Sequence, residues 1–236
     1  GDNVELFYET MENMAPGAWE LNLGLQELWN SISGNSYDWI MPDNFHACIE
    51  TQTKELIDFT FNDEPYAVPV KLDERPEFHK GLGPNLIHSI DGMVVREMHR
   101  RMNFNLEHIM KAYSMVKGSR ITTREKFVSL RMVDWIVEGR EDFTESQAGQ
   151  LCEVIESIMD NRPAPLVTIH DEFKTYPMAQ GYMRQNYVNI LAEIADSNIA
   201  QDILRGMYED DSIVYDKQDG HEELSAMIRK SRYAIC

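Results

Sequence analysis

Two short runs hold the side chains best suited to chemistry. Leu166-Val-Thr-Ile-His-Asp-Glu-Phe173 is an apolar, β-branched stretch ending in adjacent ionisable groups. Its length and the prolines at 163, 165 and 177 predict a short buried strand with a polar tip rather than a helix. Carboxylates at a strand tip, here Asp171 and Glu172, reach a metal or substrate without being buried unpaired. They are hard oxygen ligands of the kind Mg²⁺ takes. The plain reading is a solvated acidic turn. A His-Asp pair also marks one class of metal-dependent phosphohydrolases, but there it sits on a helix in an all-helical domain.

The second run is His88-Ser-Ile-Asp-Gly92. His88 and Gly92 are four apart and share one helical face. Glycine inside a helix costs about 1 kcal/mol against alanine, a cost tolerated where something must approach the helix closely. A histidine one turn away could donate to a backbone phosphate, a sugar or a base edge. The plainer alternative is a half-buried histidine paired with Asp91.

The elements that must position these runs follow from periodicity. Leu21, Leu25 and Leu28 predict a helix over 18–30, stopped by Ser33-Gly-Asn-Ser36. Tyr37–Met41 and Phe45–Ile49 flank a Pro-Asp-Asn turn, which is hairpin chemistry. Leu56–Val70, rich in Phe, Tyr, Val and Ile but carrying two prolines, predicts further strands at an edge. Gly81-Leu-Gly-Pro84 opens a helix with Leu86, Ile90, Met93, Val94 and Met98 inward, and His88, Gly92, Arg96 and His99 on the other face.

Residues 101–160 read as all helical. Leu106, Ile109, Met110 and Tyr113 define one helix. Thr122-x-x-Glu125 and Thr144-x-x-Gln147 are capping boxes that predict two more. After the 166–173 strand, stripes at Tyr187, Ile190, Leu191, Ile194 and at Ile199, Ile203, Leu204, Met207 predict helices. The fold class is therefore α+β, mostly helical with short antiparallel strands.

Composition sets the outer bounds. The chain has 236 residues, is 43% hydrophobic and 26% charged, and so is globular rather than disordered. No run of about 18 apolar residues exists to span a membrane, and the acidic start is not a secretory signal. Cys48, Cys152 and Cys236 are far apart and read as reduced thiols, without a zinc or disulfide framework. The net charge of −18 argues against a free-standing nucleic-acid binder. The charge is uneven, however. Arg96–Arg140 carries ten Lys/Arg and five Asp/Glu, leaving −23 on the remainder. A basic stretch in an acidic body suits one part of a larger machine, and equally an ordinary charged helical face.

Taken in order, these runs carry a resemblance. Gly83-Pro-Asn-Leu-Ile-His-Ser-Ile-Asp-Gly92 resembles a signature of the single-subunit RNA polymerases of phage and mitochondria, and Leu166–Phe173 is similar to their motif C. Trp39-Ile-Met-Pro-Asp-Asn-Phe45 is similar to that family's Trp-Val-x-Pro-Asp-Gly-Phe hairpin. Lys80-Gly-Leu-Gly aligns with the lead into the Pro-Asn signature. Lys230-Ser-Arg-Tyr-Ala-Ile-Cys236 resembles the aromatic foot that ends these enzymes. Five landmarks in one order are far more specific than any one of them.

The resemblance implies the palm and fingers portion of a right-handed polymerase. Residues 1–100 would be the fingers and palm base with the hairpin and the His88 helix. Residues 101–160 would be a helical insertion, and 161–236 the motif C hairpin, C-terminal helices and foot. Asp171 would be one of two carboxylates holding two Mg²⁺ ions, the other supplied from outside this chain. His170 would be a catalytic neighbour that helps place the primer end. His88, oriented by Asp91 with Gly92 beside it, would contact the nucleic acid near the primer terminus. The implied partners are DNA template, RNA transcript, ribonucleoside triphosphates and the remaining upstream polymerase portion, with no membrane. The implied setting is the host cytoplasm or a virion.

There are departures from the pattern. Glu172 stands where the family commonly has serine, and family A DNA polymerases have His-Asp-Glu there. A family A-like DNA polymerase fragment is thus the first alternative, and a non-enzymatic interaction module the second. Motifs A and B are absent: there is no Arg-x-x-x-Lys and no Tyr-Gly in the chain. The expectation is a C-terminal portion, either excised or one subunit of a split enzyme.

Overall fold

The computed structural model describes residues 2–28, 36–50, 53–72, 81–140, 142–169, 172–215 and 223–231. The fold is mixed α+β with short antiparallel strand pairs, as the periodicities predict. Among the described residues no helix is long and apolar enough to cross a membrane. The residues group into two compact units, one drawn from 1–39 and 47–88, the other from 40–46 and 89–236.

In the first unit, helices α1 (Asp2–Met14) and α2 (Pro16–Leu28) are joined at Ala15. The sequence reading anticipates α2 but not α1, whose apolar residues Val4, Phe7, Tyr8, Met11 and Met14 are all exposed. Strand β1 (Ser36–Ile40) pairs with β2 (His46–Glu50). Along β1, Tyr37 and Trp39 are buried while their neighbours are exposed, the period-2 pattern of a half-buried strand.

Strands β3 (Thr53–Phe61) and β4 (Glu64–Leu72) form a nine-pair antiparallel ladder. Asn62 and Asp63 turn it with φ of 53° and 64°. Two consecutive left-handed residues give the type I′ geometry that matches strand twist. Both strands are edges, which accommodates Pro65 and Pro69 without loss of a central ladder.

The long helix α3 (Leu82–Met102) begins with Pro84 in its first turn, where the missing N–H has no helical partner. Leu86, Met93, Val94, Met98 and Met102 are buried.

In the second unit, α4 (Leu106–Val116), α5 (Met132–Val137) and α6 (Glu145–Met159) enclose an apolar cluster of their own, including Ile109, Ala112, Val133, Ile136, Leu151, Ile155 and Ile158. Burial stabilises by roughly 1.5–3 kcal/mol per large aliphatic side chain. Helix α4 rotates differently from the predicted stripe: Leu106 and Met110 are exposed, and Ala112 and Val116 face inward instead. The Thr144 capping box forms as expected: Thr144 Oγ1 accepts from the Gln147 N–H, and Gln147 Oε1 accepts from the Thr144 N–H.

The Thr122 capping box does not open a helix. The Thr122 and Thr123 N–H groups donate to Ser146 Oγ at 3.1 and 3.0 Å instead. Phe127, Val128, Ser129 and Leu130 are buried in succession. Four inward residues in a row fit an irregular segment lying in the core, not a 3.6-residue period.

Strands β5 (Val167–Ile169) and β6 (Glu172–Lys174) pair antiparallel, Ile169 opposite Glu172. A 3₁₀ turn at Pro177–Ala179 leads to α7 (Gln180–Asp196), followed by α8 (Ile199–Tyr208) and α9 (Leu224–Lys230). Of the foot resemblance at 230–236, Lys230 ends α9 and residues 232–236 lie outside the described residues.

Candidate active site and nucleic-acid interface

The turn between β1 and β2 is where sequence dictates geometry most directly. Pro42 sets the first corner, and the Asn44 N–H donates to the Met41 carbonyl at 2.8 Å. Asn44 takes a left-handed φ of 60°, and the Met41 N–H then donates to the Phe45 carbonyl at 2.9 Å. This is a type I turn closed by a bulge, the common three-residue hairpin loop. It buries Asp43 and leaves Phe45 exposed.

Helix α3 supplies the cations that Asp43 meets. Arg96 forks onto it, Nε to Oδ2 at 2.5 Å and Nη2 to Oδ1 at 3.0 Å. Arg100 adds a bond to Oδ2 at 3.0 Å and bridges to Glu97 at 2.8 Å. Glu97 is fully buried and also accepts from the Ser129 hydroxyl and, at 3.0 Å, from the Leu130 N–H. Arg101, equally buried, lies 3.5 Å from Glu97 and forks onto Glu193 of α7 at 2.9 and 2.5 Å.

Arg96, Arg100 and Arg101 thus balance Asp43, Glu97 and Glu193. Buried charges persist only when paired and hydrogen-bonded in this way. The network ties the 41–45 turn, α3, the 127–131 segment and α7 together. Burial pushes the Asp43 carboxyl up, but the bonds and charges of Arg96 and Arg100 outweigh it and hold the group below its ordinary range. Burial pushes Arg101 down, but Glu193 and then Glu97 outweigh it, so the guanidinium stays charged.

A further contact runs from α3 to the β5–β6 pair. His99 Nε2 lies 3.5 Å from Thr168 Oγ1 on β5, with the donor set by the imidazole tautomer. On the ladder Thr168 stands opposite Phe173, whose ring packs 5.7 Å from that of Tyr187 on α7.

His170 and Asp171 themselves lie outside the described residues; the strands on either side of them are β5 and β6. Strand on both flanks removes the helical phosphohydrolase reading, which needs its His-Asp pair on a helix. Glu172 is exposed, with Lys174 Nζ 3.3 Å from its carboxylate. His88 is exposed rather than half-buried, and it lines a mainly apolar cavity of about 300 Å³ with Leu21, Leu25, Pro84 and Ile87. Asp91 is exposed. Among the described residues neither has an ion pair or a side-chain hydrogen bond.

At Gly92 the close approach that the sequence anticipates is internal. A Cβ there would come within 3.2 Å of the Arg96 guanidinium, which passes over the glycine on its way to Asp43. Among the described residues no group of three or more His, Cys, Asp or Glu could hold a metal ion. Among the described residues Cys48 and Cys152 are in no disulfide.

Sequence reasoning singled out neither Glu97 and Arg101 nor Glu193, and it gave Asp43 no role beyond the hairpin turn. One signal was available. Glu97 and Arg101 follow Met93 at successive four-residue steps, so an opposite-charge pair sits on an otherwise buried stripe.

Compared with protein-family models and with curated proteins, the chain matches none.

Proposed function

We propose that this chain is the motif C portion of the catalytic core of a DNA-directed RNA polymerase, which adds ribonucleotides to an RNA 3′ end on a DNA template. The observation that carries the reading is the serial order of the Pro-Asp-Asn hairpin, the His88 helix and the His-Asp strand pair along one chain. Three structural features support it. The hairpin is a tight turn anchored to α3 through Asp43. The Pro-Asn-x-x-His signature opens a long helix with His88 exposed. The His170-Asp171 dipeptide is flanked by an antiparallel strand pair that meets α3 through His99.

In this reading Asp171 would hold Mg²⁺ together with a carboxylate from the upstream polymerase portion. The metal, when bound, would supply charge neutralisation at the reacting phosphate and activation of the 3′-hydroxyl. This chain's own contribution is placement. The charge-balanced network holds the C-terminal half of α3, and that half meets the β5–β6 strand pair through His99. The net charge of −18 is compatible with this role, because the complementary portion can line the cleft with cations.

Primer extension on a preformed RNA–DNA scaffold tests the reading, using this chain together with its upstream portion. Extension with ribonucleotides and Mg²⁺ is the expected result. Extension with deoxynucleotides alone would instead select the family A-like DNA polymerase. No extension with either, from a complex that binds the scaffold, would favour an interaction module.

A further inference from the structure

Phe45 is an aromatic ring left 46% exposed at the end of a tight turn. An isolated exposed apolar side chain is unremarkable, but this one is braced. The Arg96 guanidinium carbon lies 4.1 Å from the ring centroid, in cation–π range. Arg96 is itself immobilised by both oxygens of the buried Asp43, and Arg100 holds the same carboxylate. The turn's two internal backbone bonds fix the backbone from which the ring projects. The result is an open ring on a rigid turn, backed by a cation that cannot swing away.

A flat π-system gains most from a second flat ring held in place, because no side-chain entropy is lost on stacking. Arg96, 27% exposed and paired with Asp43, keeps part of its guanidinium N–H edge open to solvent beside the ring, where it can donate to an anion. A planar base attached to a phosphate backbone matches both features.

We propose that Phe45, backed by Arg96, is a stacking platform for an unpaired base of a single-stranded nucleic acid. The assignment deepens the nucleic-acid part of the function proposed above and needs none of its catalysis. It concerns a residue that the hairpin resemblance includes but gives no role.

The test is binding of a short single-stranded oligonucleotide carrying one central 2-aminopurine, titrated into the full-length protein. Stacking quenches the probe's fluorescence. With the wild type and Phe45→Tyr, saturable quenching is expected. With Phe45→Leu the quenching should vanish and affinity should fall about tenfold, the scale of one lost base–aromatic stack. An abasic site in place of the probe should remove the difference between wild type and Phe45→Leu. Thermal melts check that Phe45→Leu folds; if it does not, Phe45→Tyr and the abasic arm carry the test. Equal quenching by wild type and Phe45→Leu, or equal affinity for probe and abasic strands in the wild type, would overturn the assignment. If Phe45-dependent quenching persists while the polymerase assay fails, the platform stands and the catalytic reading falls.

Discussion

Arg96 and Asp43, 53 positions apart in sequence, meet through two parallel hydrogen bonds of 2.5 and 3.0 Å, with the carboxylate fully buried. This pair joins the Pro-Asp-Asn turn to the helix that carries the His88 signature. Replacing Asp43 with Ala would leave two guanidinium groups facing an empty buried position. Loss of one partner of such a pair costs roughly 3 kcal/mol. Urea denaturation of Asp43→Ala against wild type measures it. A change within experimental error would show that the pair contributes no stability.

The same carboxylate predicts a pH dependence. Its folded pKa is depressed, so the stabilisation is fully present above the unfolded value of about 4 and is lost as pH falls through the folded value. The gap in stability between wild type and Asp43→Ala should therefore hold between pH 5 and pH 7, a range argued from that pKa of about 4. It should narrow at lower pH. A gap that widens on acidification would contradict the sign.

Asn44 holds a left-handed φ of 60° at the bulge position of the turn. Glycine pays no Cβ penalty there, and it is the residue at this position in the Pro-Asp-Gly-Phe pattern that the hairpin resembles. Asn44→Gly should be neutral or stabilising by about 0.5 kcal/mol, and Asn44→Val destabilising by about 1–2 kcal/mol. Thermal unfolding of the two variants separates them, and Val equal to Gly would mean that the turn relaxes.

Gly149 lies inside α6, where alanine ordinarily stabilises by about 1 kcal/mol. Here a Cβ would sit 2.9 Å from Ile121 Cγ1 and 3.0 Å from the Arg120 carbonyl carbon. Backbone on the facing segment cannot yield as a side-chain tip can. Overpacking of this kind costs about 1–3 kcal/mol, so Gly149→Ala should lower the melting temperature. A raised melting temperature would show that the 117–131 segment moves freely.

What was legible in the sequence was what local chemistry decides. The Pro42-Asp-Asn turn and the Thr144 cap form where their residues say they should, and Val167–Ile169 is a strand as expected, but with Val167 and Ile169 exposed instead of buried. The Thr122 cap failed because its local preference lost to tertiary packing. Ser146 takes the backbone N–H groups that a helix start would leave open, and Glu97 pins Ser129 and Leu130. The ion network was hidden for a related reason. Asp43, Glu97 and Glu193 look like surface charges until α3 and α7 are brought together. Helix α1 was overlooked although its apolar residues recur at helical spacing, because none of them is buried in this chain.

The central claim is that Asp171 serves nucleotidyl transfer. The most direct measurement is primer extension by the complete polymerase with Asp171→Ala and Glu172→Ala beside wild type, and scaffold binding measured in parallel. The account predicts that Asp171→Ala loses at least about 1000-fold in extension rate, roughly 4 kcal/mol of transition-state stabilisation, while still binding the scaffold. Glu172→Ala should retain most activity, since its carboxylate is exposed and faces Lys174. Extension by Asp171→Ala at the wild-type rate would contradict the account.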